Sequence, residues 1–107
     1  MIKFMNDKPV QIVLHAPTAL ALERARNNAI NLKREDPEAD VRIIANAQAV
    51  AMALDIVHEQ SDTVTWLCPI SLGRLGRDNR EPLQVLEGSA ILEIARLQQR
   101  GWIYLRA

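Results

Sequence analysis

At 107 residues, with 49 % apolar and 24 % charged side chains, the chain has the composition of one globular domain spanning residues 1–107. Thirteen basic residues balance thirteen acidic ones, so no net field draws it to nucleic acid or to an anionic membrane. A single cysteine excludes an intramolecular disulfide. No apolar run reaches the ~18 residues of a membrane span, and the opening MIKFMNDKPV lacks the apolar stretch of a secretory signal. A cytoplasmic protein is the expectation.

The segment MIKFMNDK precedes the first strand and reads either as a loose arm or as an extra pairing strand. Val10–His15 is short, apolar and β-branched, the pattern of a buried strand, and Ala16-Pro17-Thr18 closes it. Thr18 can cap a helix running to about Arg34, with Leu22, Ala25, Ala29 and Leu32 on one face. Lys33 and Arg34 suit the negative end of that helix, and Pro37 stops it. Val41–Ala45 is the second strand. Asn46 then suits the N-cap of a helix over Ala47–His58.

Thr63–Leu67 is the third strand, and it feeds Cys68 directly. Pro69 fits the first position of a short helix ended by Gly76, because its missing N–H has no partner there anyway. A polar loop over Arg77–Glu81 and Pro82 leads to a fourth strand, Leu83–Leu86. Gly88-Ser89 opens the helix Ala90–Arg100, Gly101 is its C′ residue, and Trp102–Leu105 is a closing strand. Strands alternating with helices predict an α/β fold with a parallel sheet and right-handed crossovers. His15, Asn46 and Cys68 then fall at strand carboxyl ends, the edge where α/β proteins build their sites.

Cys68 carries the chemistry. A thiol at the amino end of a helix meets unpaired N–H groups and a positive dipole, both of which favour thiolate. Such a thiolate can take up sulfur as a persulfide, form a mixed disulfide or be oxidised to sulfenic acid. The opposing expectation is a buried cysteine that packs as a small hydrophobe. Arg74 and Arg77 would lower the thiol pKa further if they folded back on it, and His15 would serve as a base or donor if it came close. His58, at the end of its helix, has a dipole-facing surface role instead. Trp66 and Trp102, inside apolar runs, read as core or subunit contacts. One cysteine and two scattered histidines give no zinc spacing, and the four glycines form no phosphate loop, so neither metal nor cofactor is expected.

The string Cys68-Pro69-Ile70-Ser71 also matches a one-cysteine thioredoxin-type motif, but that motif normally lies near the amino end and opens a longer helix. The broader likeness is elsewhere. Ile94-Ala95-Arg96-Leu97-Gln98-Gln99-Arg100-Gly101-Trp102-Ile103-Tyr104-Leu105 resembles the closing helix and strand of the DsrE/DsrF-like family, with its Leu-Gln-x-x-Gly-aromatic-x-Tyr pattern. The helix around Ala25–Leu32 and the pattern Cys68-x-x-Ser71-Leu72 fit the same family. The resemblance implies a three-layer α/β/α fold with a five-stranded parallel sheet in the order 4-3-2-1-5, and homo-oligomers, often trimers or hexamers. In sulfur-relay members a cysteine after the third strand accepts and hands on persulfide sulfur, and Cys68 matches that position.

The expected function is therefore a small sulfur carrier or thiol relay that accepts persulfide sulfur on Cys68. His15, Asn46, Ser71 and Arg74 are its candidate binding residues, and a protein sulfur donor or acceptor is its partner. The alternative is a non-catalytic oligomeric binding or accessory subunit in which Cys68 is structural.

Overall fold

The computed structural model describes residues 8–107, so the expectation of an arm or extra strand over MIKFMNDK lies almost wholly outside the described residues. Five strands, β1 (Gln11–Ala16), β2 (Asp40–Ala45), β3 (Thr65–Leu67), β4 (Gln84–Val85) and β5 (Ile103–Arg106), form one all-parallel sheet. Their order is β4-β3-β2-β1-β5. The intervening helices are α1 (Ala19–Glu35), α2 (Gln48–Asp55), α3 (Glu59–Asp62), α4 (Pro69–Leu75) and α5 (Ala90–Gln99). The expected α/β architecture and strand order are those observed.

Chain direction explains the layers. From β1 to β3 the chain steps one way across the sheet, and right-handed crossovers put α1 and α2 on the same face. From β4 it returns past β1 to β5, so α5 lands on the opposite face. Two apolar clusters result. On the first face Leu22, Ala25 and Ala29 of α1 and Ala49, Val50 and Ala53 of α2 pack on Leu14, Ala16, Ile43 and Ala45. The small alanines let both helices approach the strands closely. On the second face Ala90, Ile94 and Leu97 of α5 cover Val13, Ile44, Cys68 and Trp102.

One helix does not cover a five-stranded sheet. Beyond α5 the second face is finished by Trp66 and Trp102, with the Arg42 guanidinium 5.0 and 4.9 Å from the two ring centres. The cation lies against both indoles, an arrangement worth about 0.5–2 kcal/mol per ring depending on solvent exposure. These tryptophans thus line a cation site on the sheet as well as packing into the core.

Local signals account for most boundaries. Thr18 Oγ1 accepts from the Ala21 N–H at 3.0 Å, as expected of the α1 N-cap. Lys33 donates to the Pro37 and Ala39 carbonyls, each at 2.8 Å, and so ties the end of α1 to the start of β2. Gly76 at φ 63° and Gly101 at φ 92° take left-handed conformations that a side chain disfavours.

The helix expected over Ala47–His58 is a correction. It stops at Asp55, and a separate turn, α3, begins at Glu59. Long-range capping is the cause. Arg80, from the loop before β4, donates to the carbonyls of Ala53, Leu54 and Ile56, which are the orphan acceptors at the end of α2. Asp62 accepts the His58 N–H at 3.0 Å, which starts α3. His58 is therefore not a dipole-facing helix end. It is the N-cap residue of α3, and its Nδ1 lies 2.6 Å from Ser61 Oγ. The strands β3 and β4 are also shorter than the expected Thr63–Leu67 and Leu83–Leu86, because pairing with β2 begins only at Thr65 and β4 pairs only beside Trp66 and Leu67.

Candidate functional site

Parity along the strands decides which residues share the upper edge of the second face. Side chains alternate, so Val13 and His15, Ile44 and Asn46, and Trp66 and Cys68 follow one another on the side that carries α5. Parallel pairing sets Val13 beside Tyr104, and that places Tyr104 on this side as well. The carboxyl edge of the sheet is thus a row of polar groups rising from an apolar floor.

The row is connected. The Tyr104 hydroxyl lies 2.7 Å from His15 Nδ1, and His15 Nε2 donates to Asn46 Oδ1 at 2.9 Å. A carbonyl oxygen only accepts, so this pairing puts a ring proton on Nε2, and in the neutral ring Nδ1 is then the acceptor of the Tyr104 hydroxyl. The next residue, Ala47, donates its N–H to Ser71 Oγ at 2.9 Å. Ser71 in turn faces the Cys68 thiol, and its hydroxyl and N–H favour the thiolate. Four of the five expected site residues therefore join one chain of contacts from β5 to α4. The fifth, Arg74, lies with Ser71 and Asn46 along a cleft of about 480 Å³ between α2 and α4.

Cys68 is the N-cap residue of α4, with Pro69 behind it as expected, and it is only 5 % exposed. The sulfur makes no full capping hydrogen bond to α4, but the first N–H groups of the helix face it. Burial alone pushes the thiol pKa up. The N–H groups of Ser71, Ala90 and Ile70, together with the Ser71 hydroxyl, outweigh that effect and hold the thiol below its ordinary value. Ala90 opens α5 from the far side of the sulfur, so the thiol sits where two helices begin.

In the single chain the sulfur is not open at the sheet rim, because α5 covers it. Two expectations about this thiol are corrected. Neither Arg74 nor Arg77 acts on the thiol. Arg77 is paired with Asp55 at 2.7 Å instead. His15 has both ring nitrogens engaged by Tyr104 and Asn46, so it is not the base of Cys68.

Asn46 is a correction of another kind. It does not cap α2. The N-cap position falls on Ala47, at φ 50° and ψ −132°, without a side-chain cap bond. A non-glycine residue held there costs about 1–3 kcal/mol. The strained turn frees the Asn46 side chain for His15 and aims the Ala47 N–H at Ser71.

Two contributors escaped the sequence reading. Tyr104 stood out only as part of a family pattern, and Ala90 acts through its backbone. Strand parity was the available signal for Tyr104, but it becomes usable only once β5 is known to pair with β1. Among the described residues no group of three or more His, Cys, Asp or Glu side chains could hold a metal ion, and no helix is long and apolar enough to cross a membrane. In comparisons with protein-family models and with curated proteins, the chain matches none.

Proposed function

We propose that the protein is a sulfur carrier of the DsrE/DsrF-like kind, with Cys68 as the acceptor of persulfide sulfur. The observation that carries this reading is the thiol's environment. Backbone N–H groups from the starts of α4 and α5, and the Ser71 hydroxyl, favour its thiolate without any charged partner. In the transfer, the Cys68 thiolate attacks the outer sulfur of a donor protein's cysteine persulfide. A new S–S bond forms to Cys68, the donor's S–S bond breaks, and the donor cysteine leaves as thiolate, so no oxidant or reductant is consumed. Ser71 and Arg74 border a cleft beside α4 on which a partner protein docks, and the α5 amino terminus, which covers the sulfur, moves aside to let the donor reach it.

The assembly that goes with this reading is a closed homo-oligomer, a trimer in preference to a dimer or hexamer, working in the cytoplasm. Its support is the exposed apolar surface formed by Ile103 and Leu105 of β5 and Leu92 of α5. Burial of Cys68 among Val13, Ile44 and Ile94 favours a second reading, an accessory subunit in which the cysteine only packs.

Mass spectrometry after incubation with a persulfide donor separates the two. A gain of one sulfur on the wild type and none on Cys68→Ser supports the carrier. If the native protein takes up no sulfur, and its thiol alkylates no faster than a free cysteine at any pH, the accessory reading replaces it.

A further inference from the structure

Between α5 and the upper ends of β1 and β5 lies a cleft of about 420 Å³, within the range of small-molecule sites. Strands β1 and β5 are neighbours, but the helix after β1 and the helix before β5 lie on opposite faces. Open α/β sheets bind ligands in the crevice at such a reversal. Cys68 does not line this cleft, so the inference stands apart from persulfide transfer.

The walls are mostly apolar. Ala90, Ile91 and Ile94 of α5 form one side, and Ile91 is 79 % exposed although it faces this opening. Gln98 of α5 adds one exposed carboxamide to the wall, and the other polar groups gather at the sheet end, where Tyr104, His15 and Asn46 meet. Their internal bonds determine what remains for a ligand. With the His15 ring neutral and its proton on Nε2, the Tyr104 hydroxyl has its one proton committed to Nδ1, so its oxygen can only accept from outside. Asn46 has Oδ1 committed to His15 Nε2, so its side chain offers the ligand the two donors of its amide nitrogen. Because His15 bonds both neighbours, it holds this division of roles in place.

A ligand head that matches must accept from Asn46 and donate to Tyr104. A carboxylate cannot donate, and a hydrocarbon does neither. A carboxamide does both. We propose that this cleft binds a small molecule with an apolar body and a carboxamide head, the carbonyl facing Asn46, the amide N–H facing Tyr104 and the body lying on Ile91 and Ile94.

Benzamide is the probe, followed in amide-resolved NMR spectra of the full chain against toluene and benzoate. Benzamide is expected to cause saturable shifts at His15, Asn46, Tyr104 and the Ala90–Ile94 turn, with the two comparison compounds at least about threefold weaker. Tyr104→Phe removes the accepting oxygen together with the hydroxyl's bond to His15 Nδ1. It should weaken benzamide by about three- to tenfold and leave toluene unchanged, in a spectrum that keeps the wild-type dispersion. Ala95→Phe, at an exposed position of α5 lining the cleft, should block the site. The proposal is overturned if benzamide causes no saturable shifts, if the shifts centre on the cleft between α2 and α4, or if either variant binds benzamide like the wild type.

Discussion

At Cys68 two opposed effects meet, and the sign of their sum is measurable. Burial favours the neutral thiol, whereas the surrounding N–H groups and the Ser71 hydroxyl favour the thiolate and prevail. The native pKa therefore lies below the unfolded one. The thiolate then contributes stability that is full above the unfolded value of about 8.5 and is lost as pH falls through the native value. Relative to Cys68→Ser, the wild type should gain stability between neutral and mildly alkaline pH, as followed by urea unfolding. Ser71→Ala removes one of the stabilising bonds, so ultraviolet titration of the thiolate should show the Cys68 pKa rising toward the ordinary range. The neighbouring strain gives a second residue-scale prediction. Glycine tolerates the Ala47 backbone geometry, and the relief exceeds the extra chain entropy that glycine brings to the unfolded state. Ala47→Gly should raise the unfolding free energy by about 1 kcal/mol in denaturant titration.

At the level of elements, the loop before β4 is held to α2 by one side chain. Arg80 caps three carbonyls around the end of α2 and also pairs with Asp62 at 2.9 Å. Asp62 is fully buried, and its other oxygen lies 3.5 Å from Arg26, which is 3 % exposed. Two cations thus share one carboxylate, and Arg26 Nε has no hydrogen-bond partner. Burial holds the Arg26 guanidinium below its usual value, Asp62 acts against this, and Arg80 adds to it. Arg80→Ala should cost about 2–4 kcal/mol, because the carbonyls lose their donors and a buried charge cluster loses a member. Arg80→Lys should recover little, since a single ammonium cannot reach both the carbonyls and the carboxylate with the geometry of a guanidinium fork. Thermal unfolding of the two variants checks both statements.

On the scale of the whole molecule the sheet is unevenly protected. β5 is an edge strand exposed along its length, with Ile103 and Leu105 in the open on the side away from the ligand cleft, and α5 adds Leu92. An unpaired apolar edge invites another chain, and a neutral protein has little charge repulsion to oppose it. The proposed oligomer would bury this surface. Light scattering should then show an assembly for the wild type at micromolar concentration and a monomer for the pair Ile103→Lys and Leu105→Lys. A monomeric wild type would remove the proposal. Substituting these two outward positions leaves both core clusters intact, so the folded state should persist.

Elements with local causes were legible in the sequence. The Thr18 cap, the alanine face of α1, Pro69 at the start of α4 and Gly101 after α5 depend on neighbours a few residues away. The likeness to a known family supplied the strand order. Residues whose behaviour depends on distant partners were not legible. Asn46 looks like a helix cap until His15, 31 positions earlier, takes its side chain. The α2 helix looks longer than it is until Arg80 caps it from a loop 27 positions beyond Ala53. Cys68 reads equally well as exposed or buried until Ala90 is laid over it. Propensity and periodicity are short-range properties, whereas the hydrogen bonds and dipoles that assemble this site form only when parallel strands bring their carboxyl ends to one edge.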